Sequence, residues 1–200
     1  MRIAGLVGMA ALAETLVAGN AVAVHGIPVA TPDATVYVDN AGGGFYLTKV
    51  LASRMLAAAG VEVTWRIGEP KPDPAGGLVV RVRFTDTPSP GDQKRVLAEA
   101  HPFGGDAGCI TVFHDRILAI AERSGTEEYK VTAHVLVHEI GHVLERIDGH
   151  SDAGVMKAHW TLTDFQAMGL KPLAFTEEDI AWIHRTLEHL RKQSRSGANK

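Results

Sequence analysis

With 200 residues, 46% of them hydrophobic and 22% charged, the chain can bury one sizeable core and does not have the composition of a disordered protein. A net charge of −3 gives no footprint for nucleic acid. The single cysteine, Cys109, excludes an internal disulfide scaffold, and no apolar run reaches the roughly eighteen residues a membrane span requires.

Taken in order, the chain opens with Arg2 before a short apolar run, then small residues with Ala21-Val22-Ala23 as an A-x-A cleavage pattern. Residues 1–23 therefore read as a secretory signal, which predicts a secreted or periplasmic protein, although Glu14 is unusual there. Pro28 and Pro32 oppose helix in an extended leader. Thr35–Asp39 reads as a strand, and Phe45–Ala59, ending at Gly60, as a helix. Val61–Ile67 and Leu78–Thr85 alternate as strands around a proline-containing loop. After a turn at Pro88–Gly91, Val96–Ala100 is taken as a short strand and Cys109–Asp115 as another.

Thr126–Ile147 is the next helix. Val131, Val135, Ile140, Val143, Leu144 and Ile147 recur at three- and four-residue spacing, and Thr126-Glu127-Glu128 is a plausible start. Within it lies His138-Glu139-Ile140-Gly141-His142, the H-E-x-x-H pattern of zinc metalloproteases. Residues four apart share a helix face, so the two imidazoles can hold one Zn²⁺. Glu139 points to a neighbouring angle, suited to a general base. A catalytic zinc needs a third protein ligand. Two candidates lie downstream, Asp148 and His150, with Gly149 between them to turn the chain back. His150 is preferred, because imidazole suits zinc and because of the residues on its C-terminal side.

Those residues are Ser151, then Gly154-Val155-Met156, then Trp160. With the helix motif, this stretch resembles a metzincin, specifically the matrix-metalloproteinase-like branch. The resemblance covers about 138–160 and implies His138, His142 and His150 as ligands of one catalytic Zn²⁺, Glu139 as base and Met156 as the Met-turn residue. Seven residues separate His142 from His150 where the family has five, and Glu145 stands where the family has Gly. At family spacing the third ligand would be Asp148. The resemblance further implies that an edge strand near 107–114 takes extended peptide by strand addition. His134, His159 and Trp160 read as supporting or packing residues.

Thr163–Phe165 is taken as a helical turn, and Thr176-Glu177-Glu178-Asp179 opens a last helix running to about Lys192, with residues 193–200 as a disordered tail. No repeat or linker divides residues 24–192. The expected fold is α+β and metzincin-like: a twisted mixed sheet of four or five strands packed against the helix 45–59 and the zinc helix 126–147, with the C-terminal helix 176–192. The expected function is zinc-dependent endopeptidase action on a peptide or protein. The alternatives are a zinc-stabilised interaction module with four protein ligands and little hydrolysis, or the same site holding iron, cobalt or nickel.

Overall fold

The computed structural model describes residues 32–39, 42, 44–70, 77–86, 96–103, 105 and 108–197. The signal-like segment 1–23, the turn at Pro88–Gly91 and the last three residues of the tail lie outside them. Among the described residues ten elements succeed one another: β1 (Ala34–Asp39), α1 (Phe45–Ala58), β2 (Val63–Ile67), β3 (Leu78–Thr85), β4 (Ala98–His101), β5 (Cys109–Phe113), α2 (His114–Ser124), α3 (Glu128–Glu145), α4 (Leu162–Leu170) and α5 (Glu177–Gly197). Among the described residues, no helix is long and apolar enough to cross a membrane.

The sheet order is β2-β1-β3-β5-β4. The first four of these are parallel, and β4 alone runs antiparallel, on β5. The residues of β3 explain how the sheet sits. Val80 and Val82 are buried while Arg81 and Arg83 are exposed, so a period of two turns one face to the core. Interior strand β1, between β2 and β3, is buried on both faces: Thr35 and Tyr37 are covered as well as Val36 and Val38.

Helix α3 is the axis of the core. Its sequence carries an apolar stripe, yet every residue from Val131 to Glu145 is buried, including His134, His138, Glu139, His142 and Glu145. Neighbours on all sides explain this, because α1, α2, α4, α5, β4 and β5 all pack on it. Two polar residues find partners inside. Thr132 donates to the Glu128 carbonyl at 2.9 Å, and His134 bonds the Lys130 carbonyl at 2.7 Å while its other nitrogen accepts the Leu173 N–H at 3.0 Å.

Three boundaries differ from the expectation. Residues 114–124 form a helix, α2, although Cys109–Asp115 reads as a strand: Ile117, Ile120, Ala121 and Ser124 bury one face, and Gly125 ends it in the left-handed region at φ 68°. The turn expected at 163–165 is the nine-residue α4, started by a capping box between Thr161 and Asp164. Helix α5 continues through Gly197, past the expected end at Lys192 and into the segment taken as a tail.

Candidate metal centre

Two backbone carbonyls orient the paired histidines of α3. His138 donates from Nδ1 to the Val155 carbonyl at 2.8 Å, and His142 from Nδ1 to the Ile147 carbonyl at 3.1 Å. A carbonyl only accepts, so each ring carries its proton on Nδ1 and presents a bare Nε2. The two Nε2 atoms face each other 3.1 Å apart. Two lone pairs at that distance repel unless a cation lies between them. Two nitrogens bound tetrahedrally to one zinc ion would stand about 3.3 Å apart, so the pair fits a metal with little adjustment.

His150 completes a group of three. One ligand atom from each of His138, His142 and His150 lies within 4.8 Å of the others. His138 and His142 are buried, and His150 is exposed at the mouth. Asp148, the other candidate, is not in this cluster; its charge acts on His142 and His150 from nearby. Burial holds the His138 imidazole down at about 4, its neighbours His142 and His150 adding to the effect against the Val155 carbonyl and Asp179. Burial likewise lowers His142 and His150. All three rings therefore favour the neutral form that binds metal.

Glu139 lies beside the cluster, facing the sheet edge. Burial pushes its carboxyl up to about 8, against a hydrogen bond from the Ala100 backbone N–H and with help from the charge of Glu99. Ala100 belongs to β4, and β4 is the edge of the sheet. Strand β5, which the resemblance makes the open edge, is flanked by β3 and β4 and has no free side. The edge strand expected at 107–114 is thus corrected: on this side of the sheet the edge is β4. Leu97 and His101 carbonyls accept from Phe113 and Gly108 on the β5 side. By antiparallel alternation, the backbone groups of Ala98 and Ala100 point to the open side.

The loop from 146 to 157 is closed on itself and clamped from below. The Ser151 N–H donates to the Met156 carbonyl at 2.9 Å, and the Val155 N–H to the Ala174 carbonyl at 2.9 Å. The Ser151 hydroxyl bonds the Asp179 carboxylate, which also accepts the Thr176 N–H at 2.7 Å. Buried Met156 lies directly against Gly141 of the motif: a Cβ there would stand 2.5 Å from its Sδ. That contact gives the motif's glycine a physical reason. Trp160 sets its ring edgewise on His138 at 5.3 Å and on Phe165 at 5.8 Å. His134 faces away into its backbone partners and is structural. The sequence motifs assign no site role to Asp179 or Glu145; the capping position of Asp179 in the first turn of α5 is the one signal available for it.

No protein-family model matches the sequence, and no curated protein does. Solved structures do. The archaemetzincin of Methanopyrus kandleri superposes with a TM-score of 0.57 at 15% identity, over 81% of this chain and 99% of that one. A zinc-dependent peptidase of Methanocorpusculum labreanum gives a TM-score of 0.49 at 14% identity, over 75% of this chain and 99% of that one. The likeness is to an archaemetzincin and not specifically to the matrix-metalloproteinase branch. What this chain shares with it is the fold; in this chain that fold is a five-stranded mixed sheet backed by helices, with the His138–His142 motif on the central helix α3.

Proposed function

We propose that this protein is a zinc-dependent peptidase, hydrolysing peptide bonds within extended substrates. One observation carries the reading: the bare Nε2 atoms of His138 and His142 converge at 3.1 Å, and His150 closes the group. The fold shared with archaemetzincin supports it. His138, His142 and His150 would hold one zinc ion, with Met156 as the Met-turn beneath. When bound, zinc supplies a Lewis acid that polarises a carbonyl and makes water acidic near neutral pH. The chain supplies the rest. An extended peptide adds to β4 through the outward backbone groups of Ala98 and the carbonyl of Ala100, the Ala100 N–H being held by Glu139. Glu139, next to Ala100, would act in its ionised form, which the charge of a zinc ion held by the histidines would favour over the protonated one, taking the proton of the attacking water and passing it to the leaving amine. Segment 1–23, as a secretory signal, would place this activity outside the cytoplasm.

Elemental analysis of the purified protein, with cleavage of an unfolded protein followed in parallel, tests the reading. One zinc per chain is expected. His150→Ala should loosen it and Asp148→Ala should not, and Glu139→Gln should keep zinc while losing at least about a hundredfold in turnover. Full activity in the Gln variant would remove Glu139 as the base. No stoichiometric metal in the parent would remove the peptidase reading, and metal retained by four protein ligands with no hydrolysis would make the site structural.

A further inference from the structure

A second feature, a cavity, lies at the other end of α3. A cavity of about 740 Å³ opens there, bounded by Gly42 and Gly44, by Phe45 and Thr48 of α1, by the end of β3, and by His114, Glu128, Tyr129 and Thr132. It shares no residue with the histidine cluster; Glu128 is ten residues before His138, about 15 Å along the helix. Its place in the topology is informative. From β1 the chain leaves through α1 to β2 on one side, while β3 leads to β4 and β5 on the other. The crevice beyond the carboxyl ends of β1 and β3 is thus the point where the connections of a parallel sheet diverge, the place where open α/β sheets take ligands. The volume suits a small molecule.

The lining gives the class of ligand. His114 sits between two carboxylates, with Nε2 2.8 Å from Glu128 Oε1 and Nδ1 3.5 Å from Asp86 Oδ1. Two carboxylates thus share one imidazole, which can offset the charge of at most one of them. Among the described residues, no Lys or Arg lines the cavity. The Lys130 ammonium is held by the Glu127 carboxylate at 2.9 Å and the Gly169 carbonyl at 2.7 Å. The wall between these groups is aromatic: Phe84 meets Phe45 edgewise at 6.1 Å and His114 at 6.4 Å, and Tyr129 closes the side. An excess of carboxylate beside aromatic rings favours an organic cation, recognised by charge-assisted hydrogen bonds and by contact with the ring faces. The start of α1 also lines the cavity and by itself would favour an anion, but Asp86 and Glu128 oppose one.

We propose that the cavity between α1, the end of β3 and the start of α3 binds a small organic cation, an alkylamine or alkylguanidinium, on Asp86 and Glu128 against the Phe45–Phe84 wall.

The test uses amide NMR of the full, zinc-loaded chain, titrated with n-butylguanidinium and separately with its neutral counterpart n-butylurea, inorganic phosphate and excess Zn²⁺. Saturable shifts at Gly44, Thr48, Thr85 and Tyr129 with butylguanidinium are expected, with the amides of His138 and His142 unmoved. Affinity should fall about tenfold or more for butylurea and in Glu128→Gln. Asp86→Asn, at a side chain 75% exposed, makes the same demand without threatening the fold. Equal binding of butylurea, saturation by phosphate or Zn²⁺ alone, unchanged affinity in the Asn variant, or no saturation by about 10 mM butylguanidinium would each overturn the proposal.

Discussion

Glu145 is the residue whose replacement would say most about the core. It closes α3 where the resembled family has glycine, and it is 4% exposed with Oε1 lacking a hydrogen-bond partner. Burial raises its carboxyl from 4.5 to about 7, and the charge of Asp179 on α5 adds to the shift. Below about pH 4.5 both folded and unfolded chains hold the proton, and the neutral carboxyl contributes fully to stability. As pH rises toward 7 the unfolded chain releases its proton first, so that contribution is lost at up to about 1.4 kcal/mol per pH unit. Across the whole window the loss is about 3 kcal/mol, constant above pH 7. Glu145→Gln removes the titration while keeping the shape. Urea unfolding of parent and variant at pH 5, 6, 7 and 8, in one metal state, should show the variant gaining on the parent by about 2–3 kcal/mol between pH 5 and pH 8. A difference that does not change with pH would refute a neutral, buried Glu145. A variant that loses ground as pH rises would mean that the ionised form is the one the fold favours.

The other expectations concern the packing around the histidines. Gly141→Ala brings a Cβ to 2.5 Å from Met156 Sδ and 3.2 Å from Phe175; thermal unfolding should show a loss of about 1–3 kcal/mol, and adding Met156→Ala in the same chain should recover part of it. Asp179→Asn weakens the carboxylate that holds Ser151 and the Thr176 N–H. It should lower zinc affinity about tenfold, measured by competition with a chelator, with little change in helical content. His134→Leu strands the Leu173 N–H, so urea denaturation should report about 1–3 kcal/mol lost with zinc stoichiometry intact.

Much of this protein is legible along the chain because its information is local. Alternation marks β3, glycine after Ala59 stops α1, and the i, i+4 spacing puts His138 and His142 on one helix face whatever surrounds it. Even α2 is within reach, since Ile117, Ile120, Ala121 and Ser124 keep helical spacing before Gly125; the β-like run Cys109–Phe113 draws the reading two residues too far. Other properties depend on elements distant in sequence. Whether His150 or Asp148 joins the paired histidines turns on how the Ser151–Met156 bridge folds the loop back. Which strand is the open edge turns on sheet order, and pairing with β3 and β4 encloses β5 while leaving β4 free. Glu145 and Asp179 come together only when α5 docks on α3. Likewise the second cavity takes its walls from Gly42 and Gly44, α1, β3, α2 and α3 together. Helical spacing is a property of the backbone and travels with the sequence, whereas edges, loop closures and buried charge depend on which surfaces meet, and only the tertiary structure decides that.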